Sequence, residues 1–139
     1  EDLARTDPAM SVIRAVGPNL VIALLMDGPQ LATRWPARYA TVLADDPGSS
    51  VLTLTCAALV DRSNWLESRP VRSIALWRDA GGRTQELNLP AGHHGMCLTL
   101  TAKNESQYTM DSRCDISSTQ KLTLTSAIPL AIASPPNWL

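Results

Sequence analysis

The sequence lacks the features that mark a nucleic-acid-binding or membrane-spanning protein. Its 12 basic and 13 acidic side chains give a net charge of −1 and are interspersed along the chain. This balance does not produce the positive surface that attracts nucleic acid or an anionic membrane. No apolar run approaches the roughly 18 residues that a membrane-spanning helix needs. We therefore expect neither nucleic acid nor a membrane as a partner.

The three cysteines lack the spacing of a metal site or a disulfide framework. Cys56, Cys97 and Cys114 form an odd set without a Cys-x-x-Cys or Cys/His pattern, so we expect no bound metal and no cofactor. Unpaired cysteines are typical of a reducing compartment, which favours a cytoplasmic location. Cys56 and Cys97 lie in strand-like runs and are predicted to be packed and inert. Cys114, in a polar segment, is the candidate for an exposed thiol.

The length of the chain bounds its domain organisation. With 139 residues it can build one hydrophobic core but is short for two ordinary domains. The opening Glu1-Asp2-Leu3-Ala4-Arg5 has neither an initiator methionine nor a signal-peptide pattern. We therefore expect residues 1–139 to form a single partial domain that was cut from something longer.

An apolar run at 20–26 begins the stretch around which the chain is organised. A strand without polar alternation is typical of a parallel sheet that is buried on both faces. A helix at 37–44 and a second apolar strand at 49–58 follow, which predicts a right-handed β-α-β unit and an α/β fold. Active sites of such sheets lie beyond the carboxyl ends of the strands. The residues predicted there, together called the pocket turn, are Met26, Asp27, Gly28, Pro29 and Gln30, with Trp35 as the favoured aromatic neighbour.

Simpler elements are predicted on either side of this unit. Asp7 and Pro8 suit the start of a helix at 8–16, which Gly17-Pro18 ends. Ala9, Val12, Ile13 and Val16 fall on one face of this helix by helical spacing. Downstream, the polar segment 61–70 predicts a surface loop, and paired glycines between 73–77 and 84–89 predict a hairpin. Two further strands are expected at 95–102 and 121–128. An irregular polar segment is expected between them at 103–119, and an extended tail at 134–139.

Two pairs of chemically active side chains are better explained as turns. His93 and His94 would point to opposite faces of a strand, and no third ligand stands at a useful spacing. Asp45 and Asp46 precede Pro-Gly at the end of a helix, which is typical of a solvated turn. The sequence therefore places no catalytic constellation inside the chain.

The order of these segments resembles the C-terminal part of a carbon–nitrogen hydrolase domain of the nitrilase superfamily. Gly17-Pro18-Asn19-Leu20-Val21 resembles the entry to a strand, 26–30 the pocket turn, and Trp35 with 38–40 the helix that follows. Residues 51–58 and 75–82 resemble the next strand and its hairpin. The resemblance covers 1–102 and leaves 103–139 as a polar segment, a last strand and a tail.

The start of the chain carries the functional part of this resemblance. Glu1-Asp2 resembles the pair that follows the nucleophilic cysteine in the Cys-Glu-Asp variant of the family motif. The resemblance implies that the backbone N–H of Glu1 helps hold the oxyanion, that Asp2 orients the turn of the nucleophile, and that the pocket turn contacts the substrate. The Glu base, Lys acid and Cys nucleophile of the family would all precede Glu1.

The resemblance implies a nitrilase-like α-β-β-α sandwich with a mixed sheet and flanking helices. The chain would be the C-terminal portion of an amidase-like hydrolase, inactive as an isolated chain, whose substrate is a small amide or nitrile. Without the first strands of the domain, a sheet edge and an apolar helix face should remain uncovered, so the chain should depend on an N-terminal portion or a partner chain. A homo-oligomer is compatible with this interpretation.

Two other interpretations remain open from the sequence. In the first, the chain belongs to a degenerate nitrilase-like module that binds a ligand or regulates a partner without turnover. In the second, it is an unrelated β-rich domain for protein contacts, which a sheet without a parallel β-α-β unit at 19–58 would favour. The residues encoded upstream of Glu1 distinguish the enzyme from the degenerate module.

Overall fold

The computed structural model describes residues 2–64, 71–108 and 110–135, with backbone alone at 2, 6, 107 and 115–119. The described part of the chain begins with a 3₁₀ turn at Asp2–Ala4 and a π-helical turn at Thr6–Met10. The three α-helices are α1 (Ser11–Val16), α2 (Trp35–Asp45) and α3 (Ala57–Ser63). The six strands are β1 (Leu20–Leu24), β2 (Ser50–Leu54), β3 (Ser73–Arg78), β4 (Thr84–Asn88), β5 (Gly95–Tyr108) and β6 (Cys114–Leu130).

The first four strands form a mixed sheet in the order β1-β2-β3-β4. β1 and β2 are parallel, from the pair Leu20–Ser50 to the pair Leu24–Leu54, and α2 connects them. The other two pairings are antiparallel. The predicted β-α-β unit and the mixed α/β class are therefore confirmed. A sheet without a parallel β-α-β unit at 19–58, which would have favoured an unrelated β-rich domain, is not what the structure has.

α2 packs on one face of this sheet. Pro36 lies in the first helical turn, where its missing N–H donor costs nothing. Ala37, Ala40 and Leu43 recur at helical spacing and are buried against Val51 and other residues of the sheet. The core on this face consists of Leu3, Met10, Ala37, Ala40, Leu43, Val51 and Leu76.

β5 and β6 form a separate two-stranded antiparallel ribbon. The part of the ribbon nearest the body packs on the second face of the sheet, where Leu124 joins Leu52 and the fully buried Trp77. The Ser50 hydroxyl donates a hydrogen bond of 2.7 Å to the Leu122 carbonyl and ties β2 to β6. The described residues therefore form three layers, which are helices, sheet and ribbon.

β1 is one of the two edge strands of the sheet within the described residues. Val21 and Ala23 pack against the helical layer, but Ile22 and Leu24 on the other face are 55% and 76% exposed. The prediction that this strand is buried on both faces is therefore wrong for the chain as it stands. Its physical reason is that the sheet ends at β1 and the ribbon leaves these two side chains open.

The first helix packs only part of its apolar face. Asp7 is extended, α1 begins only at Ser11, and Gly17 ends it in the left-handed conformation, as predicted. Ile13 packs against the core, whereas Val12 and Val16 are exposed. An open sheet edge and an uncovered apolar helix face, both expected from the sequence, are therefore present.

Two further segments differ from the prediction. The second strand ends at Leu54, and α3 then continues into the predicted loop at 61–70, of which 65–70 lies outside the described residues. Residues 103–119 are not irregular, because their backbone pairs across the ribbon from Lys103–Lys121 to Tyr108–Cys114. Their described side chains are exposed, so no apolar alternation reveals the strand. The predicted tail at 134–139 is described only to residue 135.

Candidate functional site

The pocket turn lies where the parallel strands β1 and β2 end. The N–H of Leu25 donates to the Leu54 carbonyl at 2.8 Å and extends the ladder by one residue past β1. The Thr55 hydroxyl then donates to the Asp27 carbonyl at 2.6 Å. Cys56 follows at the N-cap position of α3, and its side chain makes no capping hydrogen bond. The turn, the end of β2 and the start of α3 therefore meet at one corner of the sheet.

Side chains hold three successive carbonyl groups of the turn. The Asp27 carbonyl accepts from Thr55, the Gly28 carbonyl from Gln30 Nε2 at 2.9 Å, and the Pro29 carbonyl from Arg34 Nη1 at 2.9 Å. The N–H of Gln30 donates to the carbonyl of Ser73 at 2.7 Å and joins the turn to β3. Side chains here replace the backbone ladder as the partners of the main chain.

The Asp27 carboxylate is part of the same network. Its Oδ1 accepts from the N–H of Gly28 at 2.8 Å and from Arg34 Nη2 at 3.0 Å. The Asp27 and Arg34 side chains are only 20% and 33% exposed, so solvent weakens this ion pair less than a surface pair. Asp27 Oδ2 and Gln30 Oε1 are buried and have no hydrogen-bond partner among the described residues.

Gly28 allows these groups to approach one another. A Cβ atom at this position would lie 2.8 Å from Arg34 Nη1 and 3.0 Å from the Ser63 hydroxyl oxygen on α3. Both distances are below ordinary van der Waals contact, so a side chain at 28 would displace Arg34 or α3.

No contact joins the other predicted site residues to one another within the part of the chain that the structure describes. The Met26 side chain is 95% exposed. Trp35 is half-buried and packs edge-to-face against Tyr39, with ring centroids 6.0 Å apart. Glu1 lies outside the described residues, and Asp2 is described by its backbone alone, in the first 3₁₀ turn. The roles assigned to these four residues stay predictions.

Three contributors to the corner are missed by sequence reasoning. Arg34, Thr55 and Ser63 enter through tertiary contacts, because Thr55 stands 28 residues from Asp27 and Ser63 lies on an unpredicted helix. A signal existed only for Arg34, since an acid and a base on either side of the Gly-Pro turn suggest an ion pair.

The cysteines are exposed, which corrects the prediction for two of them. Cys56 lies beyond the end of β2, and Cys97 lies on the open face of the ribbon opposite Ile128. Cys56 is expected inside because the apolar run predicts a strand that continues beyond Leu54, and Cys97 because a strand-like run does not distinguish the packed face of a strand from its open face. Cys114 is exposed as predicted. Within 2–64, 71–108 and 110–135, no three His, Cys, Asp or Glu residues gather as metal ligands.

A depression in the surface lies at the end of β3 opposite to the pocket turn. It has a volume of about 240 Å³ and is enclosed by the β3–β4 turn at 79–81 and the ribbon at 103–105 and 121–123. Lys121 and Glu105 form an ion pair at its rim. It lies one strand length from the contact between Ser73 and Gln30, so it is separate from the pocket turn.

Comparisons with protein-family models, with curated proteins and with solved structures found no match to this chain. Among the described residues, no helix has both the length and the apolar character to cross a membrane.

Proposed function

We propose that this chain is the C-terminal portion of a carbon–nitrogen hydrolase domain whose pocket turn forms one wall of the substrate pocket. The observation that carries the proposal is the open edge of β1, where exposed Ile22 and Leu24 adjoin the pocket turn. One more parallel strand on this edge would end beside the turn. In the carbon–nitrogen hydrolases that this chain resembles, the nucleophilic cysteine stands at the end of such a strand, directly before the position that corresponds to Glu1.

The three-layer arrangement agrees with a part of the proposed α-β-β-α sandwich. The α2 layer, the mixed sheet and the ribbon supply an α-β-β order, and the missing portion would complete the sheet beyond β1 and the fourth layer beyond the ribbon.

The chemistry would be thiolate attack on the carbon of a small amide or nitrile. The amine leaves, and water hydrolyses the acyl-enzyme. The backbone N–H of Glu1 would stabilise the oxyanion, and Asp2 would orient the turn that carries the nucleophile. The upstream Glu and Lys would act as base and acid, so the isolated chain would be inactive.

The first test compares the isolated chain with a longer protein that includes the residues encoded immediately before Glu1. We expect ammonia release from small amides by the longer protein and none by the isolated chain. Changing the upstream nucleophilic cysteine to serine should abolish the release. The matched control Cys56→Ser should retain it, because Cys56 is not the proposed nucleophile. Turnover by the isolated chain, or loss of activity in the control alone, would contradict the assignment.

The same two proteins test the dependence on a partner. The longer protein should melt at a higher temperature, because the edge of β1 and the apolar face of α1 would be covered. If the isolated chain is monomeric, well dispersed and as cooperative in melting as the longer protein, this part of the proposal is wrong.

The alternative is a degenerate module of the same fold that binds an amide-bearing ligand without turnover. In this alternative the turn only contacts the ligand, and the Asp27 carboxylate, which is committed to Arg34 and to the Gly28 N–H, takes no part in catalysis. Ligand binding without ammonia release, together with an upstream sequence that lacks the Glu, the Lys or the Cys, would favour the module.

A further inference from the structure

We propose that Arg34 is the positioning residue of the pocket turn, and that its guanidinium seated over Gly28 acts as a latch on the middle of the turn. The inference deepens the proposed function, and it rests on that function only in treating the turn as a wall of a pocket. The latch itself consists of contacts within the described residues and can be measured without turnover.

The guanidinium spans the turn from one side to the other. Its Nη2 donates to Asp27 Oδ1 at 3.0 Å, and its Nη1 donates to the Pro29 carbonyl at 2.9 Å. These two acceptors flank Gly28. Arginine suits this contact because its planar fork presents two donors in fixed directions, whereas lysine presents one small charged group.

The two ends of the turn are anchored independently of Arg34. The Asp27 carbonyl is held by Thr55 after β2, and the Gln30 N–H is held by the Ser73 carbonyl of β3. In the middle, the Gly28 carbonyl keeps its bond from Gln30 Nε2, but the Pro29 carbonyl is held by Arg34, and the Gly28 N–H is held by the carboxylate that Arg34 also binds. Removing the guanidinium should therefore loosen the middle of the turn and leave its ends in place.

Gly28 is the second half of the latch. A Cβ atom at 28 would lie 2.8 Å from Arg34 Nη1, so a side chain at this position would shift the guanidinium relative to its two acceptors. A substitution at Gly28 and a substitution at Arg34 should therefore disturb the same contact. Their effects on the turn should not add.

Hydrogen exchange of backbone amides, followed by NMR in the 139-residue chain, tests the latch directly. We expect Arg34→Met to speed exchange at Gly28 roughly tenfold or more, which is the scale of one charge-assisted hydrogen bond. The amides of Gln30 and of the buried strand β2 should change less. Arg38→Met is the matched control, because Arg38 lies on α2 just after Arg34, is exposed and should leave exchange at Gly28 unchanged.

Two further variants separate positioning from a general loss of stability. Arg34→Lys keeps the charge for Asp27 but not the fork, so exchange at Gly28 should fall between the wild type and Arg34→Met. Gly28→Ala alone should speed exchange at position 28, and in the Arg34→Met background it should add little. Unchanged exchange at Gly28 in Arg34→Met, or an equal rise at every amide of the chain, would overturn the latch.

The longer protein then provides the functional measurement. Arg34→Met should raise the KM for a small amide more than it lowers kcat, because the pocket wall moves while the upstream nucleophile stays in place. Arg38→Met should leave both constants unchanged. A fall in kcat at constant KM would overturn the assignment of Arg34 to the pocket wall. If the wild-type longer protein shows no turnover, the proposed function fails, and the exchange data still decide whether the latch exists.

Discussion

At the scale of single residues, neighbouring positions on α2 differ sharply in burial. Leu43 is fully buried in the core between α2 and the sheet, whereas Val42, one position earlier, is 43% exposed. We expect Leu43→Ala to lower the free energy of unfolding by about 2–5 kcal/mol through lost burial and a cavity. Val42→Ala should change it by less than about 1 kcal/mol. Urea denaturation of both variants measures the difference, and similar losses in the two would show that α2 does not pack as described.

The same scale shows what the sequence can disclose about the candidate site. The pocket turn follows from a general rule, because an apolar strand that ends in Asp-Gly-Pro places the turn at the carboxyl edge of a sheet. Apart from the Asp27–Arg34 pair, the contacts around the turn do not follow from a local pattern. Thr55, which holds the Asp27 carbonyl, and Ser63, which lies beside Gly28, reach the turn only after the chain has folded.

At the scale of elements, the ribbon divides into a packed base and an open distal part, residues 103–121. The described side chains of the distal part are almost all exposed, and Leu124 in the base is 6% exposed. We expect replacement of 103–121 by an Asn-Gly turn to change the free energy of unfolding by less than about 1 kcal/mol, because exposed pairs contribute little. Leu124→Ala should cost about 2–5 kcal/mol.

Thermal or urea unfolding of the two ribbon variants checks this division. A loss in the shortened ribbon as large as that in Leu124→Ala would mean that the distal part contributes to the core.

The elements also show why sequence patterns succeed in one half of the ribbon and fail in the other. In the base, apolar residues alternate with polar ones, since one face packs on the sheet; this pattern predicts the strands at 95–102 and 121–128. Where neither face packs, as in the distal part, no alternation is needed and the strand is invisible in the sequence. For β1 the pattern indicates burial on both faces, but burial depends on neighbours that the described chain does not supply.

At the scale of the whole molecule, the edge of β1 should decide how the isolated chain behaves at high concentration. None of the residues from Leu20 to Leu24 is charged or a proline, the two devices that commonly protect sheet edges from pairing. We expect the isolated chain to self-associate, and Leu24→Lys to weaken the association about tenfold, equivalent to about 1.4 kcal/mol. Its unfolding free energy should change by less than about 0.5 kcal/mol, because Leu24 is 76% exposed.

Met110→Lys is the matched control for this substitution. Met110 is fully exposed and lies in the connection from β5 to β6, outside β1. The same change of an apolar side chain to lysine should therefore leave association unaltered. Sedimentation velocity over a range of concentrations measures both variants. An equal effect of the two would show that association depends on net charge and not on the edge.

The parallel pairing of β1 with β2 also affects the order in which the sheet assembles. Leu20 pairs with Ser50 across the whole α2 connection, whereas Arg78 pairs with Thr84 across a short hairpin turn. For flexible loops of these two lengths, closing the longer one costs about 1.4 kcal/mol more in chain entropy. Local hairpins form within microseconds, before contacts between distant segments. During refolding, the β3–β4 hairpin should therefore form before β1 and β2 pair.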